Sequence, residues 1–340
     1  MIRKDKLTAK RILSNRYTYL LLLVLSVVVL GQGLKSREPS LPRKDSHTPG
    51  AMVSDWGQPK RLGSPVNTPR PEDAIEISSD GKKLFFLYAK DLLENMTPAE
   101  LLSRPNGTYV ATRIGGPTDF SKPTFYNLGK GTSLSLDGEL SFSPDGTKVY
   151  FHSNRGENTG RQQDPPKDDF LDIYVADIVN GVPTSARNLG YPVNSVYPDG
   201  EHAIHPGGDT LYFTSSRPGG LGRNDIWMSR QDGTSWGNPV NCGDPINSDK
   251  NELQPAFTSD GNTMYFSSDR NPGIGMAIYR SKRIRNSWTK PELVMKGIVG
   301  EPSITADGKY LYFVHILTDA EGVFDADVWV SERVDNKDGR

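Results

Sequence analysis

The acidic residues are the side chains whose spacing in this sequence most clearly suggests chemistry. Acids stand eight residues before a repeated turn in four segments of the chain and six residues before it in three. The first set is Glu72, Asp137, Asp199 and Glu252, and the second set is Glu139, Glu201 and Glu301. Residues two apart on a strand share one face of a sheet. The spacing therefore predicts a ring of acids at the mouth of a channel, if the segments surround one.

A ring of this kind could bind a cation or a ligand. Acids in a ring repel one another unless water or a cation neutralises them, and several oxygen ligands suit Ca²⁺ better than a transition metal. No cofactor is firmly implied beyond this possible Ca²⁺. The alternative, which the sequence favours, is structural: the acids bind backbone amides between the segments, or the recurring arginines Arg155, Arg217 and Arg270. Paired acids for glycoside hydrolysis need a set separation, which spacing along the chain does not supply.

The few histidines offer a second candidate metal site. His152 and His315 end or follow aromatic strands, and His202 and His205 belong to one other strand. Neutral imidazole is a good ligand for divalent metals, so His152, His205 and His315 could converge if they face the channel. His202 and His205 are three apart on a strand and cannot face the same way. Ordinary core or surface histidines are the alternative, which the sequence favours.

Other catalytic arrangements are excluded or weak. The glycine-rich stretches 219–222 and 273–275 do not open a helix after a strand with the spacing of a nucleotide-binding loop. We find no nucleophile elbow, which is a Gly-x-Ser-x-Gly turn between a strand and a helix, and the one cysteine, Cys242, cannot form an internal disulfide bond. We interpret Asp172, Asp225 and Asp327, which begin similar strands, as loop caps.

The elements that would position these residues come from an internal repeat. Five segments share a short strand, a turn that usually reads Asp-Gly, and a second strand rich in aromatic residues. The turns lie at Asp80, Asp145, Gly207, Asp260 and Asp307. Asp-Gly between β-rich runs favours a hairpin with a type I′ turn, in which both central residues have positive φ. Spacings of 65, 62, 53 and 47 residues suit propeller blades of about 40–50 residues, with insertions at 91–105 and 156–170.

Further strands complete each unit. Third strands are predicted at 108–111, 172–175, 225–228, 277–280 and 327–330, and fourth strands at 120–123, 236–239 and 288–291. The fifth unit lacks a fourth strand, but residues 55–62 match that pattern. An N-terminal strand that completes the last blade would close the ring and remove its open edges. We therefore predict an all-β fold, a five-bladed β-propeller at 54–334, followed by a short tail at 335–340.

The repeat resembles a known propeller family. The turn with its aromatic strand, Ser-Ser-Arg-Pro-Gly-Gly-Leu-Gly-Arg-Asn-Asp-Ile-Trp at 215–227, and Trp-Gly-Asn-Pro-Val-Asn at 236–241 look like the WD40-like or PD40 repeat of the TolB-like propellers. This resemblance covers 54–334 and implies the fold and a bacterial envelope setting. TolB-type propellers have six blades and a separate N-terminal domain. This chain resembles them without that domain, so the particular partners of TolB are not implied.

The N-terminus reads as an export signal. Six bases and one acid lie in residues 1–34, and residues 17–30 are apolar except for Thr18 and Ser26. This pattern predicts a signal peptide or an uncleaved signal anchor at 1–34, which would contact the membrane through 17–34. Residues 35–53 are predicted to form a flexible linker. The body should therefore be extracytoplasmic, either periplasmic or secreted, and an uncleaved signal would anchor it by a single membrane span.

Charge and surface composition narrow the functional classes. The formal net charge is −1, and the six bases and one acid of the first 34 residues leave 34 bases against 40 acids, or −6, for the rest. An acidic body does not favour binding to nucleic acids. The leading hypothesis is a non-enzymatic binding or scaffold propeller that contacts an envelope protein or glycan, with Tyr126, Tyr191 and Tyr197 as candidate contacts. The alternative is a carbohydrate-active hydrolase or lyase with its site at the channel mouth.

Overall fold

Strands make up nearly all the regular structure of the chain. The computed structural model describes residues 44–68, 71–88, 107–129, 137–162, 171–319 and 322–334, and within them the helical structure is one 3₁₀ turn, Gly160–Gln162. The strands are β1 (Gly50–Ala51), β2 (Lys60–Arg61), β3 (Glu72–Ile77), β4 (Lys83–Tyr88), β5 (Thr108–Thr112), β6 (Thr124–Phe125), β7 (Gly138–Phe142), β8 (Lys148–Ser153), β9 (Asp172–Val179), β10 (Val182–Asn188), β11 (Asp199–Ile204), β12 (Thr210–Ser215), β13 (Asp225–Asp232), β14 (Ser235–Trp236), β15 (Val240–Asn241), β16 (Glu252–Phe257), β17 (Thr263–Ser268), β18 (Ala277–Ile284), β19 (Ser287–Trp288), β20 (Glu292–Lys296), β21 (Val299–Ile304), β22 (Tyr310–Asp319) and β23 (Gly322–Glu332).

These strands form five antiparallel sheets arranged as a ring. The sheets are β3-β4-β5-β6, β7-β8-β9-β10, β11-β12-β13 with β14 and β15, β16-β17-β18 with β19, β20 and β1, and β21-β22-β23-β2; we call them blades one to five. Their first strands contact one another in order, and β21 returns to β3. In blade five, Lys60 pairs with Val330 and Arg61 with Trp329. The predicted five-bladed propeller, closed by an N-terminal strand, is confirmed.

The hairpin turns between first and second strands differ from the predicted type. Gly81 has a φ of 68°, but Asp80 is not among the residues with positive φ, so the expectation of positive φ at both positions is wrong. Gly81 N–H donates to the Ser78 carbonyl, and Ser78 N–H donates to that of Lys83. The loop is therefore a longer one with a single left-handed glycine. Asp80 Oδ1 accepts hydrogen bonds from Lys82 N–H and the Ser78 hydroxyl, which explains the aspartate.

The fourth strands begin later than predicted. β2, β6, β15 and β20 each start directly after the proline that ends the predicted stretch, which is Pro59, Pro123, Pro239 or Pro291. A proline has no N–H to donate to a ladder, so it stands before the strand rather than inside it. The aromatic residue of the motif lies elsewhere: Trp236 and Trp288 pair with the end of the third strand.

Part of the predicted linker is docked on the propeller. β1 pairs with β20 at the outer edge of blade four, Gly50 opposite Lys296 and Ala51 opposite Met295. Ser46 N–H donates to the carbonyl of Thr318 in blade five. The expectation of a flexible linker through residue 53 is therefore corrected from residue 44 onward. The predicted signal or anchor at 1–34, the first insertion at 91–105 and the tail at 335–340 lie outside the described residues. In the described part, no helix is long and apolar enough to span a membrane.

The hydrophobic core lies between the blades rather than on the ring axis. Five apolar clusters are buried, and each combines side chains from two adjacent blades. The second strand of every blade contributes a fully buried phenylalanine: Phe86, Phe151, Phe213, Phe266 and Phe313. Because each cluster needs both neighbours, no blade buries its own apolar surface alone, as expected of a repeat architecture.

Asparagine side chains join consecutive blades at three junctions. Asn67 Nδ2 donates to the carbonyls of Leu62 and Val328, and its Oδ1 accepts from Val328 N–H at 2.9 Å. Asn194 and Asn247 bind the third strands of blades two and three in the same two-way manner. At blade five this contact holds the closing strand.

We expect Asn67→Ala to lower the free energy of unfolding by about 2–3 kcal/mol, because it leaves buried backbone groups of Leu62 and Val328 without partners. Urea denaturation measures this change. Asn238→Ala, at an exposed asparagine, is the control and should stay within about 0.5 kcal/mol of the wild type. Equal losses in the two variants would contradict the assigned role of Asn67.

Candidate functional site

The predicted ring of acids separates into two rows with different surroundings. We call Glu72, Asp137, Asp199 and Glu252, at the start of the first strands, the brace acids. We name the propeller face where the first strands begin the upper face, and the face with the hairpin turns the lower face.

Three of the brace acids, Glu72, Asp199 and Glu252, bind the residues that lead into their own blades. Asp199 Oδ2 accepts from Ser195 N–H at 2.6 Å and from its hydroxyl at 2.7 Å. Glu252 accepts from Ser248 in the same way, at 2.7 and 2.6 Å. Glu72 accepts from the N–H and hydroxyl of Thr68. Burial raises the pKa of Glu72 to about 9, against these hydrogen bonds.

Three brace acids also pair with an arginine from the loop after the second strand. The shortest distances from guanidinium nitrogen to carboxylate oxygen are 2.6 Å for Arg155–Asp137, 2.6 Å for Arg217–Asp199 and 3.2 Å for Arg270–Glu252. Each guanidinium lies over two rings of its blade, for example Arg217 over Phe213 and Trp227 at 5.0 and 5.5 Å. Arg217 further donates to the carbonyls of Pro192 and Val193. These contacts of the brace acids match the structural alternative, in which the acids bind backbone amides and the recurring arginines.

Blade five replaces this arrangement with a contact to the N-terminal segment. Val299 stands where the other blades have the brace acid. Its cross-strand partner, His315, stands where blade four has Ser268, the partner of Glu252. His315 Nε2 lies 3.0 Å from Asp45 Oδ2, and its Nδ1 lies 3.3 Å from the Ile298 carbonyl oxygen. Asp45 therefore supplies from outside the ring the carboxylate that blade five lacks.

The three histidines of the predicted metal site do not come together. His205 lies toward the lower face, where its ring packs against Tyr212 and Phe257 and its Nδ1 accepts from Gly207 N–H. His152 faces Glu139, and His315 binds Asp45. In the part of the chain that the structure describes, no group of three or more His, Cys, Asp or Glu side chains could hold a metal ion directly. The histidine metal site is therefore not formed.

The second row of acids points into the channel because the first strands bulge. Glu139, Glu201 and Glu301 have φ values of 48°, 45° and 54°, and Gln254 and Ala74 hold the same conformation at the equivalent positions. The register of each first strand shifts at this residue. Glu139, Gln254 and Glu301 line a channel cavity of about 110 Å³.

Two acids that the sequence analysis did not select belong to the same cluster. Glu76 lines the cavity and accepts from the Ser303 hydroxyl at 2.7 Å, and Asp73 shares a hydrogen bond with Glu301. We call Asp73, Glu76, Glu139, Glu201 and Glu301 the channel acids. The repeat numbering could have selected Glu76, because it lies four residues before its turn, where the other four segments have serine or alanine.

The channel acids are buried, Glu76 only partly, and little positive charge lies near them. Burial raises the pKa of Glu76 to about 8 and that of Glu201 to about 8, and it raises the pKa of Asp73, Glu139 and Glu301 as well. Among the described residues, no lysine or arginine forms an ion pair with them. His152 Nδ1 lies 3.3 Å from Glu139 Oε2, but burial lowers its pKa, against nearby carboxylates that raise it.

Three large apolar side chains are exposed in the described loops of the upper face. Tyr191, Tyr197 and Leu221 are the large apolar side chains exposed there, and we call them the blade-three patch. Their two loops are adjacent, because Arg217 in the second loop binds the carbonyls of Pro192 and Val193 in the first. Tyr126, also a predicted contact, is instead half-buried against Phe85 at a ring-centroid distance of 5.0 Å.

Comparisons with known proteins support the fold. No protein-family model matches the sequence, and no curated protein matches it. TolB of Acinetobacter baumannii is similar, with 16% identity over 74% of this chain and 53% of that one and a TM-score of 0.41. A protein of Agrobacterium tumefaciens described as TolB has 17% identity over 78% and 92%, with a TM-score of 0.40.

An α-L-arabinofuranosidase of Lactobacillus brevis is also similar in structure. It has 14% identity over 82% of this chain and 94% of that one, with a TM-score of 0.50. This likeness shows the fold alone. The chain spans about half the length of the first TolB and most of the other two proteins. The likeness agrees with the propeller fold that the strand pairing shows.

We expect Arg217→Ala to lower the free energy of unfolding by about 3 kcal/mol, because it leaves the buried Asp199 carboxylate without its cation. Chemical denaturation at pH 7 measures this change. Arg187→Ala is the matched control, because Arg187 pairs with Asp177 on the surface at 3.0 Å and should cost less than about 1 kcal/mol. If Arg217→Ala lowered the free energy of unfolding no more than Arg187→Ala does, the assigned role of the Arg217–Asp199 pair would be contradicted.

We also expect stability to fall as the pH rises from about 5 to 8.5. Burial raises the pKa of Glu76 to about 8, so over this range the folded chain holds a proton that the unfolded chain has released. Glu76 is partly exposed to the cavity. We therefore expect Glu76→Gln to raise the free energy of unfolding by only about 1–2 kcal/mol at pH 8.5. Thermal unfolding at several pH values in EDTA measures this effect. The prediction would be contradicted if the dependence of stability on pH were unchanged in Glu76→Gln. It would also be contradicted if the exposed Glu332→Gln altered that dependence as much.

Proposed function

We propose that this protein is an extracytoplasmic, non-enzymatic binding or scaffold propeller that contacts an envelope protein or glycan through the blade-three patch. The observation that carries the proposal is the position of this patch. Tyr191 is 62% exposed in a loop tied to its neighbour by Arg217. Aromatic side chains held on ordered loops are frequent anchors of binding interfaces.

Two further observations support a surface rather than a ligand site in the channel. Ligand pockets usually enclose about 300–1,000 Å³, and the channel cavity is about 110 Å³. The brace acids are engaged with serine, threonine or arginine partners and are not displayed at the channel mouth. The basic and apolar N-terminal sequence supports export, with residues 17–34 as a membrane contact if they are retained.

One observation favours the enzyme as a second candidate. Glu76 and Glu201 have pKa values of about 8 because of burial, and a neutral carboxylic acid can act as a general acid in glycoside cleavage. A hydrolase or lyase site would then lie in the channel. Incubation with a panel of envelope and plant polysaccharides, with products followed by chromatography, tests this candidate. Turnover that Glu201→Gln abolishes would favour the enzyme over the binding propeller.

The binding proposal is tested by capture from envelope extract with residues 35–340, which retain the docked segment. The same protein is applied to a glycan array, so that a protein partner and a glycan partner give separate signals. Saturable binding in either experiment supports the proposal. Absence of binding in both, together with polysaccharide turnover, would overturn it.

We expect the double substitution Tyr191→Ala and Tyr197→Ala to weaken binding at least tenfold, because exposed aromatic anchors typically contribute 1.4 kcal/mol or more. Ile284→Ala is the matched control. Ile284 is 61% exposed on the lower face and should not change the affinity. If Ile284→Ala lowered the affinity and the double tyrosine variant did not, the contact would lie on the lower face instead.

A further inference from the structure

Two carboxylate oxygens of the channel acids are buried without a hydrogen-bond partner. They are Glu201 Oε2 and Asp73 Oδ1, in side chains of residues that are 3% and 7% exposed. A buried polar atom is nearly always hydrogen-bonded, and an unpartnered buried carboxylate is among the most costly arrangements in a protein. These oxygens therefore indicate that something else is bound beside them.

The titratable groups around Glu201 come from blades one and two. Asp73 faces it from blade one, and Glu139 and His152 face it from blade two. Glu139 in turn lines the channel cavity together with Glu76, Gln254 and Glu301. His202, its neighbour in blade three, is buried with neither ring nitrogen in a hydrogen bond. Burial lowers the pKa of His202 to about 3, and His152 lowers it further, against the Tyr150 backbone. Both rings therefore supply little positive charge.

The backbone aims these side chains at one another. Glu139, Glu201, Gln254 and Glu301 share the left-handed bulge that directs the side chain into the channel. Non-glycine residues rarely adopt this conformation, yet it occurs in every blade. Gln254 Nε2 lies 3.5 Å from Glu301 Oε1, so this row spans the gap between neighbouring blades. The channel cavity of about 110 Å³ beside this row has room for several water molecules.

The size and donor set select the kind of ligand. Oxygen donors suit hard cations, and no three described His, Cys, Asp or Glu side chains could hold a metal directly. A cation that keeps most of its water satisfies both conditions, because Mg²⁺ in proteins commonly retains several waters and binds through one or two carboxylates. We propose that the channel binds one largely hydrated divalent cation of the Mg²⁺ or Ca²⁺ type, held by Glu139 and Glu201. This site is independent of the blade-three patch.

The test is calorimetric titration of the full-length chain, freed of metal with EDTA and dialysed at pH 7.5, with MgCl₂ and CaCl₂ in separate experiments. We expect one site per chain, with the tighter ion identifying the occupant, and a rise in melting temperature on adding that ion. NaCl at matched ionic strength controls for screening. Absence of binding heat and of any rise beyond the NaCl control would overturn the proposal.

Variants separate a bound cation from a merely protonated cluster. Glu139→Gln with Glu201→Gln should weaken binding at least tenfold and remove the stabilisation by the ion. Glutamine should fit, because Gln254 occupies the equivalent position in blade four, and circular dichroism checks the fold. Asp249→Asn, at an exposed acid, is the matched control and should bind as the wild type does. Undiminished binding in the double variant would overturn the assignment.

Discussion

A buried carboxylate at the start of the inner strand joins blades one, three and four to the chain that leads into each of them. Taking such a group out of water is costly unless its oxygens are fully bonded. Asp199 meets this condition through Ser195 and Arg217 together, and Glu252 through Ser248, Ser268 and Arg270. A one-residue slip of the strand would break all of these bonds at once. The carboxylate therefore fixes the register of the first strand, and with it the residues that enter the channel.

The asymmetry of the ring follows from the same constraint. Blade five has Val299 in place of the acid, and it obtains a carboxylate from Asp45 through His315. The segment that supplies Asp45 continues into β1 and then into β2, so it contacts blades four and five before the first blade begins. The segment at 44–53 is thus part of the folded body at the point where the repeat departs most from its own pattern.

Much of the fold could be predicted from the sequence because the repeated turn and the aromatic second strand are local signals. Counting the repeated turns gave the number of blades, and the fourth strand missing from the last unit indicated the closing strand. The docked segment at 44–53 could not be predicted, because its composition is that of a linker and its contacts are with residues more than 200 positions away. Strand alternation placed the acids of both rows on one face. It could not show that a bulge with positive φ at Glu139 and Glu201 separates them.

The closing strand also has a consequence for the order of assembly. β2 is made early in synthesis, and its partner in β23 lies 270 positions later, as Lys60 pairs with Val330. Until then the earlier blades form an open arc with unpaired edges, and such edges can pair with other chains. Contacts between distant parts of a chain also form slowly. The ring is therefore most open to chaperones, and to mispairing, in the interval before its last blade emerges.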